Sequence, residues 1–388
     1  MSKLKKMIFV FFTILFMIVL IEATCRIVFY CFKTSRAAES KKFWLFSMIR
    51  KNSNKNPHYY SFPYLPYIPH QNKTPNTYTN SKSFRGYEFN EKKGKDDIRI
   101  FCLGGSTTYG YDHEIESTYP YMLEKKLNEY YKGKLKGKIE VINAGDLGWN
   151  SMELLIQMSV RCLQYDPDLF IFYEAINDCT PAFLNKDKGV TVFEGDFSHC
   201  RRKLKPQDKT CFDTLPRWLD YSALFTMVRW RVLLDTKFMG LVWATQAGCE
   251  KYYPVYNNEN FVTLEVTKRN LKTMAGISKA HRIPIVYITQ FYAEDHYKKG
   301  ERRCFLWSYP VLTEKIKEIY QMQKQIADEN PDWVYYIDII EDMKPYSTEV
   351  TDAVHMTIKG NDILTELMKK KLIPVIDTIL LRKAEEKQ

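Results

Sequence analysis

The sequence lacks the motifs that bind metals, nucleotides or nucleic acids. It has no cysteine and histidine spacing typical of zinc sites, no nucleic-acid-binding motif and no glycine-rich phosphate loop. The net charge of +11 is spread over stretches that we interpret as loops, which indicates solvated faces rather than one basic surface. We therefore expect no nucleic-acid partner, no metal and no organic cofactor.

The nine cysteines do not define a redox compartment, and their odd number argues against complete pairing. Cys102, Cys162 and Cys179 lie beside predicted strands or helices, and we interpret them as small apolar core residues. Cys200 and Cys211 flank a polar stretch and can pair if this part of the chain lies outside the cytoplasm. The pairing stays open at this point.

One long apolar run lies near the start of the sequence. Residues 7–21 are apolar except for Thr13, then Glu22 and Arg26 interrupt the run, and residues 27–32 are apolar again. The whole stretch is long enough for a helix that crosses a membrane, although its first part alone is short. Glu22 and Arg26 are four residues apart, so on a helix they can form an ion pair near the membrane surface.

Basic residues lie on both sides of this run, since Arg26, Lys33, Arg36, Lys41 and Lys42 lie within or after its far end, so the charge rule alone does not decide its orientation. Lys3, Lys5 and Lys6 precede it and favour a cytoplasmic N-terminus. A cleaved signal peptide and a lipoprotein site at Cys25 are alternatives, but the sequence fits neither cleavage site well. We therefore predict a single-pass membrane protein. Residues 1–33 form a cytoplasmic tip and an uncleaved signal anchor, and the following domain lies outside the cytoplasm.

The rest of the sequence divides into a spacer and one α/β domain. Residues 34–96 contain scattered prolines and no strong periodicity, which is typical of a spacer. From 97 to 385, short apolar runs alternate with helical periodicities, and residues 182–258 interrupt the alternation as a cap-like insertion. The alternation predicts a parallel sheet covered by helices on both faces. The predicted strands are 98–103, 139–142, 169–173, 285–289 and 334–339, and the predicted helices are 119–130, 151–163, 263–280, 312–327 and a last run at 354–381 that bends or breaks near Pro374.

Polar motifs follow the predicted strands. Residues 104–106 follow the first strand, residues 143–148 the second and Asn177 the third, and residues 352–355 come after the last. In a parallel sheet the carboxyl ends of the strands lie at one edge, where ligands bind. We therefore expect these residues to meet in one site.

Three of these residues have the side chains of a serine-based acyl-transfer site. Ser106 is the expected nucleophile, His355 the base that takes its proton, and Asp352 the carboxylate that orients the imidazole. The reaction forms a negatively charged oxygen, which needs hydrogen-bond donors. We expect the N–H groups of Ser106 and Gly148 and the side-chain amide of Asn177 to supply them. This chemistry requires no metal or organic cofactor.

The sequence resembles the SGNH, or GDSL-type, hydrolases in four blocks that occur in the family's order. The blocks are Leu103-Gly104-Gly105-Ser106-Thr107, Asn143-Ala144-Gly145-Asp146-Leu147-Gly148, Ala175-Ile176-Asn177-Asp178 and Asp352-Ala353-Val354-His355. The resemblance implies a three-layer flavodoxin-like fold with a parallel five-stranded sheet. It assigns Ser106, His355 and Asp352 to catalysis and Gly148 and Asn177 to the oxyanion hole. It also implies esterase, lipase, thioesterase or carbohydrate deacetylase activity in a membrane-anchored bacterial protein.

Two positions depart from the family pattern. Gly105 stands where the name motif has Asp, and Ala175 stands where the third block usually has Gly. The methyl group of Ala175 lies near the oxyanion side, where it can narrow the acyl pocket or shift Asn177. Glu174 and Asp178 adjoin Asn177, and we interpret both as structural hydrogen-bonding residues rather than substrate contacts.

We predict a serine esterase that hydrolyses short-chain O-acyl esters, acting as a carbohydrate deacetylase of the cell envelope. One alternative is a glycan O-acyltransferase that passes the same acyl group to a sugar hydroxyl. Another is a non-catalytic, anchored protein for glycan binding or assembly. The expected partners are an acylated small molecule or glycan and, through the N-terminal helix, a membrane.

Overall fold

The computed structural model describes most of the chain. The described residues are 2–34, 59–60, 68–69, 78–110, 113–179, 184–185, 190–191, 222, 224, 264–293 and 309–385. They belong to two compact units, one formed by Met1–His58 and Lys203–Tyr252 and the other by Tyr59–Arg202 and Tyr253–Gln388. Most of the predicted cap at 182–258, including Cys200 and Cys211, lies outside the described residues.

The first unit contains one long helix, α1 (Lys3–Thr34). Its 25 residues Lys3–Ile27 are long and apolar enough to cross a membrane, a test that a signal sequence near an N-terminus also passes. The predicted pair of Arg26 and Glu22 is confirmed, with Arg26 Nε 2.7 Å from Glu22 Oε1. The other carboxylate oxygen of Glu22 accepts hydrogen bonds from Ser222 Oγ and the Leu224 N–H.

The second unit is built on a parallel five-stranded sheet. Its strands are β1 (Ile98–Gly104), β2 (Ile139–Asn143), β3 (Leu169–Tyr173), β4 (Ile285–Ile288) and β5 (Val334–Ile337). The strand order is β2-β1-β3-β4-β5, with every neighbouring pair parallel. This is the flavodoxin-like order, so the predicted fold class is confirmed. Two antiparallel pairs of two-residue strands, Tyr59–Tyr60 with Ile68–Pro69 and Leu184–Asn185 with Val190–Thr191, lie outside this sheet.

Helices cover both faces of the sheet and complete three layers. They are α2 (Ser106–Tyr109), α3 (Tyr119–Tyr130), α4 (Ser151–Ile156), α5 (Ile176–Cys179), α6 (Glu265–His281), α7 (Tyr309–Glu329), α8 (Ile340–Met343) and α9 (Ile358–Glu385). Leu123 of α3 and Met368 of α9 are buried in one core cluster. Leu154 of α4, Met274 of α6 and Ile326 of α7 belong to a second. Because successive strand residues point to opposite faces, both clusters take side chains from every central strand.

Two predicted helices differ in detail from the structure. The helix predicted at 151–163 is α-helical only to Ile156, and a π-helical segment (Gln157–Cys162) and a 3₁₀ turn (Leu163–Tyr165) follow. Helix α9 runs through Pro374 without a break. Leu372 and Ile376, on either side of the proline, are buried in the core. Their packing offsets the hydrogen bond that proline cannot donate.

The segment 78–96, which the sequence places in the spacer, packs onto the sheet. Phe84 is buried, and its ring lies 5.6 Å from that of Phe101 on β1. The guanidinium of Arg85 donates hydrogen bonds to the carbonyl oxygens of Tyr109 and His113. This segment therefore fixes the chain that follows α2. The predicted burial of Cys102, Cys162 and Cys179 is also confirmed, and burial raises the pKa of each thiol.

Candidate active site

Ser106 lies at the carboxyl end of β1, the strand between β2 and β3. Gly105 forms the turn, and Ser106 is the first residue of α2. The Gly105 carbonyl accepts hydrogen bonds from the N–H groups of Thr108 and Tyr109, while its own N–H donates to Glu174 Oε2 at 2.9 Å. The backbone on both sides of Ser106 is therefore held by hydrogen bonds.

Asp352 and His355 lie on the loop before α9 and contact each other. Asp352 Oδ1 accepts hydrogen bonds from the N–H groups of Val354 and His355, both at 3.0 Å. Asp352 Oδ2 lies 2.7 Å from His355 Nδ1, and His355 Nε2 lies 2.7 Å from Ser106 Oγ. The structure thus brings the three predicted side chains into hydrogen-bonding contact in series, across 249 residues of sequence.

Asp352 keeps its negative charge in this environment. Burial acts to raise the pKa of its carboxyl, but the nearby imidazole and three hydrogen bonds outweigh burial and hold that pKa well below its ordinary value. An ionised carboxylate at Nδ1 favours the imidazole tautomer with its proton on that nitrogen. Nε2 can then accept the proton of the Ser106 hydroxyl.

The loop after β2 contributes Gly148. Its backbone has a φ of +70°, a conformation that glycine adopts without the strain a side chain would add. Asn143 holds the loop by donating to the Thr108 carbonyl at 2.7 Å and accepting from the Gly145 N–H at 3.1 Å. Within the described parts of the chain, the N–H groups of Ser106 and Gly148 donate to no protein acceptor.

Asn177 follows β3, as predicted, and belongs to the short helix α5. Its side-chain nitrogen donates to the Trp149 carbonyl at 2.9 Å and to Glu174 Oε2 at 3.2 Å. An amide nitrogen carries two protons, so both are directed to protein acceptors in this structure. The longer of these hydrogen bonds is the weaker one.

Two buried polar side chains connect the turns of the site, and neither belongs to the residues that the sequence assigned to it. Glu174 Oε1 accepts hydrogen bonds from the N–H groups of Ala175 and Asn177. Gln290 Oε1 accepts from Ala175 and Ile176, and Gln290 Nε2 donates to Thr107 Oγ1 at 3.1 Å. Gln290 lies two residues beyond β4, a position that could have marked it as a residue of the same sheet edge.

Glu174 and Asp178 are both fully enclosed, which confirms the structural hydrogen-bonding role predicted for them. Burial raises the pKa of Glu174 to about 8, and the negative charge of Asp178 adds to this increase. Burial likewise raises the pKa of Asp178 to about 6, against hydrogen bonds from Ser151 and Thr267. The site therefore has one strongly acidic carboxyl, Asp352, and two weakly acidic ones behind the Asn177 turn.

A small recess opens beside Ser106 and His355. It encloses about 240 Å³ of empty space, part of it open to solvent, and has room for about one water molecule. Its lining residues are Ser106, Thr107, Gly110, His113, Tyr173, His355, Met356, Asn361 and Leu364. The methyl group of Ala175 is not among them, because Ala175 is buried in a separate core cluster with Leu312 and Ile316. Ala175 therefore does not line this recess.

The comparisons with known proteins give similarities to solved structures. No protein-family model matches the chain, and no curated protein does. A lipase/acylhydrolase from Enterococcus faecalis is 18% identical, with a TM-score of 0.40, over 71% of this chain and 95% of the other. A catalytic mutant of an acetylxylan esterase from Geobacillus stearothermophilus is 14% identical, with a TM-score of 0.40, over 71% and 94%. In both cases the similarity spans nearly all of the solved chain.

Proposed function

We propose that this protein is a serine esterase that hydrolyses short-chain carboxylic esters. One observation carries the proposal: Ser106 Oγ, the imidazole of His355 and the carboxylate of Asp352 are joined by two hydrogen bonds of 2.7 Å. A nucleophile, a base and a group that orients the base are the parts that this chemistry requires. The same distances favour an enzyme over a non-catalytic binding protein.

The reaction begins with proton transfer from Ser106 Oγ to His355 Nε2 as the oxygen attacks the ester carbonyl carbon. Asp352 stabilises the resulting imidazolium through Nδ1. The tetrahedral intermediate then collapses, the C–O bond to the alcohol breaks, and His355 returns its proton to the departing oxygen. Water repeats the sequence on the acyl-serine ester, so that carboxylic acid leaves and Ser106 regains its proton.

The oxyanion of the intermediate requires donors on the side opposite the imidazole. In our proposal these are the N–H groups of Ser106 and Gly148 and the side-chain amide of Asn177. The two backbone groups have no acceptor among the described residues, which supports this role. Asn177 joins them when its 3.2 Å hydrogen bond to Glu174 is exchanged for one to the oxyanion.

The recess supports a preference for small acyl groups. Room for about one water molecule next to Ser106 suits the methyl group of an acetyl ester better than a long chain. The solved structures that resemble this chain include acetylxylan esterases, which agrees with acetyl as the acyl group. We infer that the substrate is an O-acetylated glycan, and that helix α1 keeps the enzyme in a membrane with its catalytic domain on the envelope side.

The test uses the full chain in detergent with p-nitrophenyl acetate, butyrate and octanoate. The proposal predicts hydrolysis with kcat/KM highest for acetate, and loss of this activity in Ser106→Ala. Ser159→Ala is the matched control, because Ser159 is a helical serine whose hydroxyl, among the described residues, bonds only within its own helix, at the carbonyls of Leu155 and Ile156. A wild-type rate equal to that of Ser106→Ala would contradict the proposal.

A second assay identifies the acyl acceptor. Acetylated xylan and an unacetylated xylo-oligosaccharide are incubated together with the enzyme, and the products are followed by mass spectrometry. Release of free acetate supports the esterase. Transfer of acetyl groups to the unacetylated sugar, without free acetate, would show that the protein is an acetyltransferase instead of an esterase.

A further inference from the structure

Glu174 occupies the point where two turns of the site meet. It is fully buried, and its carboxylate accepts four hydrogen bonds. One comes from the N–H of Gly105, the residue before the nucleophile. The other three come from the next turn, one from the Ala175 N–H and two from the backbone and side chain of Asn177. A single side chain thus links the turn that carries Ser106 with the turn that carries the amide donor.

The space around Glu174 explains the glycine at position 105. A Cβ atom at this position would lie well inside contact distance of Glu174 Oε2 and Asn177 Nδ2. The backbone of Gly105 has a negative φ, so its conformation alone does not require glycine. The close approach of the Glu174 carboxylate is what requires glycine at position 105. The absence of a side chain at Gly105 therefore leaves room for the carboxylate of Glu174.

We propose that Glu174 is a positioning residue, which aligns Ser106 with the Asn177 amide by accepting hydrogen bonds from both of their turns. The proposal rests on the proposed esterase function. Glu174 touches neither the imidazole nor the recess in the described residues, so it acts through Gly105 and Asn177 and not on the substrate.

The substitution Glu174→Gln tests this role with almost no change in volume. Each carboxylate oxygen accepts two N–H groups, so whichever way a glutamine amide is turned, its NH₂ group faces two donors. At about pH 9, where the wild-type carboxyl is ionised, we expect kcat for p-nitrophenyl acetate to fall about 100-fold, as for the loss of one oxyanion donor, with KM changed less than threefold. The rate of labelling by a fluorophosphonate should fall in proportion.

A pH profile separates positioning from general stabilisation. The pKa of Glu174 is raised to about 8 by burial and by Asp178. Among the described residues, Tyr173 and Cys179 also interact with it, and burial raises the pKa of each. The ionised carboxylate accepts all four N–H groups, whereas protonation turns one oxygen into a donor. We therefore expect a rise in the wild-type kcat near pH 8 that is missing in Glu174→Gln.

Two further variants keep the test decisive if Glu174→Gln is unstable. Gly105→Ala leaves the charge in place but pushes the carboxylate away, and should lower kcat to a similar degree. In the double variant Gly105→Asp with Glu174→Ala, the new aspartate points a carboxylate into the same space. The kcat of this double variant should be at least tenfold higher than that of Glu174→Ala.

The matched control is Glu140→Gln, which removes a buried, hydrogen-bonded carboxylate at the other end of β2 and should leave kcat unchanged. The inference is overturned if Glu174→Gln keeps kcat within threefold of wild type at about pH 9, or if the double variant is no better than Glu174→Ala. A wild type that neither hydrolyses p-nitrophenyl acetate nor reacts with fluorophosphonate would instead overturn the proposed function, and the inference with it.

Discussion

The two sides of the candidate site each contain a carboxylate, and the surroundings of the two differ in kind. Asp352 faces an imidazole that can become a cation, and its pKa is held below the ordinary value. Glu174 is hydrogen-bonded to amide N–H groups only among the described residues, has Asp178 nearby, and its pKa is raised to about 8. A partner that can carry positive charge keeps a carboxylate ionised, whereas amide dipoles alone do not offset its burial. In our proposal the first carboxylate serves proton transfer and the second serves alignment.

The largest loss is expected on the side of Asp352, when the base itself is removed. His355→Ala leaves Ser106 without a proton acceptor, and we expect kcat for p-nitrophenyl acetate to fall about 10⁴–10⁶-fold. His281→Ala, at the exposed end of α6, is the control and should behave as wild type. Retention of more than a few per cent of activity in His355→Ala would show that another group acts as the base.

Asp352→Asn is expected to have the next largest effect. An amide at this position favours the wrong imidazole tautomer and cannot stabilise the imidazolium, so kcat should fall about 10³–10⁴-fold. Because the pKa of Asp352 lies below the working range, the loss should be the same from pH 6 to pH 9. A loss of less than tenfold in steady-state kinetics would argue against the role of Asp352.

Asn177→Ala tests the other side of the site. Removal of one oxyanion donor should lower kcat about 10²–10³-fold and change KM little, since the donor acts on charge that develops during the reaction. Asn128→Ala is the matched control, because the Asn128 amide also bonds backbone groups but at Ile139, at the far end of β2. Equal kinetics for the two variants would contradict the proposed role of Asn177.

Much of this architecture could be predicted from the sequence, because burial leaves a local periodic pattern. All five strands lie where apolar runs predicted them, and helix α3 has the predicted bounds. The order of polar motifs after the strands was enough to predict that Ser106 and His355 meet at one edge of the sheet. Asp352 and His355 are three residues apart, so their contact is also local.

The parts that could not be predicted depend on contacts between distant residues. Glu174 meets Gly105 across 69 residues and Gln290 meets Thr107 across 183, and no local pattern marks either pair. Phe84 lies in a segment without periodicity, yet it packs onto β1. Helix α9 continues through Pro374 because tertiary packing on both sides overrides the local preference.

The opposite pKa shifts of Glu174 and Asp352 predict opposite effects of pH on the free energy of unfolding. The pKa of Glu174 is raised in the folded state from an ordinary 4.5 to about 8, so its stabilising contribution is complete below 4.5 and is lost as pH rises to about 8. The pKa of Asp178 is also raised, to about 6, so its stabilising contribution is likewise lost as pH rises to about 6. The pKa of Asp352 is lowered instead, so its stabilising contribution is present above its ordinary pKa of 3.8 and is lost only as pH falls below that value.

This difference can be measured by denaturant unfolding of the wild type and Glu174→Gln between pH 6.5 and 8. The wild type should lose up to about 1.4 kcal/mol of unfolding free energy per pH unit over this interval. The slope should be smaller in Glu174→Gln, which has no group to titrate at this position. Parallel slopes for the two proteins would show that Glu174 keeps the same charge throughout.

The smallest effect on catalysis is expected for Glu140→Gln. Glu140 pairs with the fully buried Arg99 at 2.8 Å, away from the site. Loss of one partner leaves a buried guanidinium without its counter-ion, which typically costs about 3–5 kcal/mol of stability. We expect a lower melting temperature and a kcat within twofold of wild type. A large fall in kcat would mean that the effects of Glu174→Gln are not specific to its position.

The most direct test of the account is to find which residue of the full chain reacts with a fluorophosphonate. Such a probe modifies a serine whose hydroxyl is activated by a neighbouring base. Mass spectrometry of the digested protein should locate the adduct on Ser106, and labelling should disappear when His355 is replaced by alanine. An adduct on another residue, or an unlabelled wild-type protein, would contradict the claim that Ser106, His355 and Asp352 act as one catalytic unit.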